Sequence, residues 1–185
     1  LLYFVVLIWG FSPILGRFIT CSAMQLVWFR ILFTLFLITG YIIITKTKLK
    51  VSPKNLFKLA VIGIIIAIHW LCFYGAIKVS NVSVTMAAFS TGTLFTAITE
   101  PLIYKRKFIW YELVIGLIII FAIGLIFSVE IQYGLGILLG ILAAFTASVF
   151  SVFNGVLIQD KKQPISSPVL SFIELSMALV GLSIY

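Results

Sequence analysis

The sequence predicts an all-α integral membrane protein, a multi-pass helical bundle, and three observations carry that prediction. Of its 185 residues, 63% are hydrophobic and only 10% are charged, where a soluble domain is about half apolar and about a quarter charged. The mean hydropathy is +1.27. A soluble core cannot hide that much apolar surface, so lipid is the solvent for most of the chain. The apolar residues also come in runs of about 20, the length at which a helix crosses a bilayer, without the period-two alternation of a β-barrel.

Seven such runs fall at residues 1–19, 22–45, 56–78, 81–104, 109–129, 132–158 and 167–185. The first is apolar from Leu1 onward, with no Met, basic n-region or small-residue cleavage site. It therefore reads as a helix entered part-way rather than a signal peptide. The second run carries one charge, Arg30, and the third carries His69, Cys72 and Tyr74 before ending at Lys78. The fourth is rich in hydroxyls and closes on Glu100-Pro101. Trp110 and Tyr111 open the fifth, as residues of an interfacial aromatic belt. The sixth holds Asn154, a buried amide that needs a partner, and the seventh has Glu174 as its sole charge. That run is still apolar at Tyr185, so the chain is expected to be a fragment cut at both ends. Pro53 and Pro164 fall in loops. Pro13 and Pro101 fall inside apolar runs, where each frees a helix carbonyl that a neighbour or a cavity must satisfy.

The net charge is +8, and its placement matters more than its sum. Lys46, Lys48, Lys50, Lys54 and Lys58 follow run two; Lys105, Arg106 and Lys107 follow run four; Lys161 and Lys162 follow run six. With alternating runs, these ten share one side, while Arg17 and Lys78 take the other. Lysine and arginine in short loops favour the cytoplasm, so run one goes from inside to outside. The basic runs need no nucleic-acid partner; attraction to anionic lipid is an added effect.

The residue inventory excludes several chemistries. The cysteines are Cys21 and Cys72 and there is one histidine, so no zinc-type spacing exists and no metal or cofactor is expected. There is no P-loop, so the chain does not use ATP itself. A membrane-embedded hydrolase would need an acid pair, a histidine cluster or a Ser–His dyad. No H-E-x-x-H and no Asp within a run supply one, leaving His69 with a serine as a formal option.

The chain also echoes itself. FSPILG at residues 11–16 returns as FSVFNG at 150–155, 139 residues on. The lone charge of run two, in W-F-R at 28–30, is matched by the lone charge of run seven, in F-I-E at 172–174, 144 residues on. Two features in order, in matching helices, indicate an internal repeat of five helices. An odd number inverts the second copy, and inverted repeats mark secondary transporters with a midplane substrate site. The first repeat is expected at 1–129 and the start of a truncated second at 130–185. About seven helices are present of an expected ten, in a chain of about 280 residues.

Residues 69–107, HWLCFYGAIKVSNVSVTMAAFSTGTLFTAITEPLIYKRK, resemble the third and fourth helices of the EamA family of the drug/metabolite transporter superfamily. Its Glu-Pro and basic loop are matched by Glu100-Pro101 and Lys105-Arg106-Lys107, and Trp9-Gly10 and Phe29-Arg30 also look like the family. The ordered set is the strong signal, and it extends over the whole chain. The resemblance implies ten helices in two inverted repeats around a central cavity. It also implies transport of amino acids, metabolites, nucleotide sugars or drugs across the bacterial cytoplasmic (inner) membrane.

Within that frame the substrate-cavity candidates are Trp9, Ser12, Arg30, His69, Tyr74, Thr93, Thr96, Asn154 and Glu174, and the inner-gate candidates are Glu100 and Pro101. Arg30 is a charge at a costly depth. It either holds an anionic substrate group or makes a structural ion pair. Glu174 binds a cation or a proton, or pairs with another helix. On a continuous helix Thr85, Gly92, Thr93, Thr96, Thr99 and Glu100 share one arc, with Thr91 on the opposite, lipid-like side. That arc is either a cavity wall or a packing seam. Glu100 either caps the basic cluster or forms a gate with it. His69 shuttles a proton or bonds a neighbouring helix. Tyr74 and Asn81 are placed at an outer vestibule. Gly136 with Gly140, and Gly116 with Gly124, are expected to form close-packing faces. Three functions compete: a carrier working by alternating access, a non-transporting scaffold or sensor, and a membrane-embedded enzyme. The expected partners are a small-molecule substrate and the bilayer, and a homodimer is compatible with the reading.

Overall fold

The computed structural model describes residues 2–129, 131–161 and 163–184; of the basic loop residues, Lys162 lies outside them. Among the described residues there are eight α-helices and no strands: α1 Leu2–Phe18, α2 Ala23–Thr45, α3 Pro53–Val79, α4 Val82–Phe89, α5 Gly92–Tyr104, α6 Trp110–Val129, α7 Gly134–Ile158 and α8 Ser167–Ser183. A 3₁₀ turn at Ile131–Tyr133 leads into α7. The caps explain the boundaries. Ser22 and Gln25 form a capping box at α2, and Ser52 caps α3 ahead of Pro53, whose missing N–H is harmless in a first turn. At the other ends Lys46 and Lys105 close α2 and α5 in the left-handed conformation, with φ of 52° and 53°.

The fourth apolar run is the main departure from the sequence reading. It is two helices, α4 and α5, joined through Ser90 and Thr91. The break is a tightening: the amides of Thr91 and Thr93 reach carbonyls three residues back, Ala88 and Ser90, and the Ser90 amide is shared between Met86 O and Ala87 O. Hydroxyls reinforce it, with Ser90 donating to Ala87 O at 2.6 Å and Thr91 to Ala88 O at 2.7 Å. Such back-bonding competes with the regular ladder and bends helices. The break also changes the phase of the run, so Thr91 is buried rather than lipid-facing.

Among the described residues, four spans are long and apolar enough to cross a membrane: Ala23–Thr45, Pro53–Val79, Val82–Tyr104 and Gly134–Ile158. α1 and α8 are shorter, at 17 residues each, or about 25 Å at 1.5 Å per residue; α6 has 20 residues, with Glu112 as its sole charge. α3 is the central strut, packed by α1, α2, α4, α7 and α8, while α5 lies between α6 and α7. Its core joins Leu59, Ile62 and Ile66 to Val27 and Ile31 of α2 and to Val169 and Leu170 of α8. Outward faces are apolar too: Phe33, Phe36 and Leu37 of α2, and Leu117, Ile118 and Phe121 of α6, are all exposed. Water would not tolerate that surface; lipid does.

α7 approaches its neighbours through small residues. A Cβ at Gly140 would stand 2.7 Å from Ala88 Cβ, and one at Gly136 would overlap Ser80. The pair on α6 behaves differently: Gly116 faces Leu94, but Gly124 has open space around it. So only one of those two glycines is a packing residue. At the end opposite the basic loops, two cations cap each other's helices. Arg17 of α1 donates to Ile77 O of α3, and Lys78 donates to Ile19 O just beyond α1. Both positions are C-terminal carbonyls, where a cation is favoured.

Candidate functional site

Polar groups gather at three places in the bundle. The first lies between α1, α2 and α3. Arg30 is seven residues into α2, about 10 Å from its start. Its guanidinium donates to Ser12 Oγ at 2.9 Å and to the Tyr74 hydroxyl, and it lies 4.7 Å from the centre of the Trp70 ring. Tyr74 and Ser12 share a further hydrogen bond of 2.9 Å. Gly16 makes room for this: a Cβ there would lie 2.5 Å from the Tyr74 ring. The two ion pairs among the described residues both belong to Arg106, so Arg30 is held by hydroxyls and rings with no carboxylate paired to it among those residues.

The second place lies between α7 and α8. Glu174 is seven residues into α8 and only 2% exposed. Asn154 Nδ2 donates to its Oε2 at 3.2 Å. Glu174 Oε1 and Asn154 Oδ1 are buried without a partner. The backbone of Glu174 presses on Gly63 of α3, where any Cβ would overlap its carbonyl.

The third is a groove of about 650 Å³ between α5, α6 and α7, lined by Ser90, Thr93, Thr96, Glu100, Glu112, Ser148 and Ser151 among others. That volume suits a small organic molecule. At the basic end Arg106 bridges Glu100 at 3.1 Å and Glu112 at 3.9 Å. Thr99 turns from the groove to bond Ser148 at 2.6 Å, and Pro101 is buried in α5.

The structure thus brings Ser12, Arg30 and Tyr74 together, pairs Asn154 with Glu174, and sets Thr93, Thr96 and Glu100 on one groove. Trp9 joins none of these: it is 69% exposed on α1. His69 is buried, bonds Ala143 O of α7 at 2.8 Å and is ringed by Phe73, Phe89 and Phe150. Of its two sequence readings, the structure shows the bond to a neighbouring helix. Asn81 caps α4 through a 2.8 Å bond to Val84 N. Glu112, Ser148, Ser151 and Trp70 were missed. Glu112 sits in the first turn of α6, where an acid is ordinary helix-dipole chemistry and draws no notice. The serines are small residues in a helix whose packing already explains them.

An apolar helical bundle that holds a buried acid, an intramembrane cation and a hydroxyl-lined groove carries the kind of polar groups that mark solute or ion paths in membrane proteins. Residues 1–128 match the model of the EamA-like transporter family, and the chain belongs to that family, within the drug/metabolite transporters. That is a family of transporters rather than of enzymes. No curated protein and no solved structure matches the chain.

Proposed function

We propose that the protein is a secondary carrier, not an enzyme, that moves a small metabolite, amino acid or drug across a bacterial cytoplasmic membrane by alternating access. The observation that carries this reading is Arg30: a membrane-embedded guanidinium oriented by Ser12, Tyr74 and Trp70, with no carboxylate on it among the described residues. A charge at that depth serves a substrate or ion path by default, and a guanidinium fits a carboxylate in two-point fashion. The solute class is therefore a small carboxylate, amino acids included. The positive-inside rule sets the basic loops in the cytoplasm, which makes the Glu100–Arg106–Glu112 bridge an inner gate beside Pro101.

The repeat supports alternating access. In both copies of F-S-x-x-x-G the glycine packs on a tyrosine, Gly16 on Tyr74 and Gly155 on Tyr104. In both, the lone charge of the next helix bonds into the motif, Arg30 to Ser12 and Glu174 to Asn154. α1 to α6 form one five-helix repeat, with α4 and α5 as a single run, and α7 and α8 open the second, inverted one.

The test is uptake of labelled amino acids, other carboxylates and their neutral analogues into vesicles carrying the protein. Each hydrogen bond to a charged group contributes about 1.5–3 kcal/mol, so Arg30→Ala should lower carboxylate uptake roughly a hundredfold. Arg30→Lys, which keeps the charge but not the planar fork, should fall between. Wild-type uptake by Arg30→Ala at equal membrane abundance would sink the assignment.

A further inference from the structure

The transport reading leaves the Asn154–Glu174 pair without a task. We propose that this pair is a proton-binding site, Glu174 carrying the proton and Asn154 holding the carboxyl in place. Its role as the coupling ion rests on the transport reading; the site itself does not.

Three observations converge on it. The first is charge. A carboxylate this deeply buried in apolar surroundings needs a compensating positive charge, and among the described residues no cation pairs with Glu174: both ion pairs belong to Arg106. The second is hydrogen-bond bookkeeping. Asn154 Nδ2 supplies the one donor, to Oε2, while two buried acceptors, Glu174 Oε1 and Asn154 Oδ1, go unmatched. Flipping the amide leaves the same shortage of donors. A proton from water on Oε1 forms an O–H bond, removes the charge, and gives the pair the donor it lacks. The third is the donor set. Two side-chain oxygens meet the needs of a proton, whereas a bound metal cation takes about six oxygens, and no cluster of metal-binding side chains exists among the described residues.

The other titratable groups on the packing helices are engaged elsewhere or stand apart. On α2, Arg30 is bound to Ser12 and Tyr74, and Tyr41 is exposed. On α3, His69 is bound to Ala143 O, Lys78 to Ile19 O, and Lys54 and Lys58 are exposed toward the basic end; Cys72 is a free thiol. On the α5 side the Tyr104 hydroxyl lies against Gly155, next to Asn154, and Glu100 is bound to Arg106.

The experiment is infrared difference spectroscopy of the protein in liposomes, titrated with protons at constant ionic strength. It needs no knowledge of the substrate, so it can fail while the uptake test succeeds, and the reverse. The expected result is a protonated-carboxyl band that shifts on ¹³C-carboxyl glutamate labelling, is lost in Glu174→Gln, and moves in frequency in Asn154→Leu. Labelling and the Asn154 variant keep the test decisive if Glu174→Gln does not fold. No glutamate band sensitive to Asn154 would overturn the proposal. A band abolished by sodium chloride but not by an organic-cation chloride would overturn the proton assignment in favour of a metal cation.

Discussion

Replacing Gly140 by alanine tests how tightly α4 is held against α7. The new Cβ would lie 2.7 Å from Ala88 Cβ and 3.3 Å from Thr85 O. Carbon atoms rest about 3.5–4.0 Å apart, so α4 must retreat by about 1 Å. It has little freedom to do so: it is eight residues long, capped by Asn81 and followed at once by the Ser90–Thr91 break. Overpacking of this kind costs about 1–3 kcal/mol, against a gain of about 1 kcal/mol from replacing a helical glycine. Gly40 of α2 is the control, because nothing lies near its added Cβ and only the gain applies. The two variants should therefore differ in stability by about 1–3 kcal/mol, with Gly140→Ala the weaker. Thermal unfolding in detergent, followed by circular dichroism, reads the difference as several degrees. A Gly140→Ala protein melting at or above Gly40→Ala would refute the close approach.

His69→Phe should cost about 1 kcal/mol in the same assay, because Ala143 O keeps a second donor in Thr146 Oγ1 at 3.0 Å; transport lost at retained stability would instead give the imidazole a proton-handling role. Arg106→Ala should change stability by less than about 1 kcal/mol, since its partners are about a third exposed. It should nonetheless speed maleimide labelling of a Ser148→Cys reporter in the groove, and unchanged labelling would remove the bridge as a gate.

The seven apolar runs were legible because hydrophobic length is a strong, local signal, and the basic loops because charge is excluded from lipid. The break within run four was not. An unbroken run of apolar and hydroxyl residues reads as one helix, and the choice between regular ladder and three-residue bonding is made by Ser90, Thr91 and their carbonyl partners. The site was legible in part. Arg30 and Glu174 announce themselves as lone charges, but their partners lie on other helices, and pairing across helices has no sequence period. Trp9 differs: a large aromatic beside a motif looks engaged in the sequence, yet it is exposed and joins none of the three polar groups.

The two lone charges stand at matching places in oppositely directed helices, each seven residues from its helix start. α2 begins at the end away from the basic loops and α8 begins at the basic end, so Arg30 and Glu174 lie on opposite sides of the midplane. They are not an ion pair, and neither neutralises the other within the resting bundle. On the carrier and proton-site proposals made above, each takes a mobile partner of opposite charge. An anionic solute at Arg30 and a proton at Glu174 would supply both partners at once, and the two together carry no net charge. A carrier built this way can reorient fully loaded without dragging an unpaired charge through lipid, which is the step that an apolar core makes most costly.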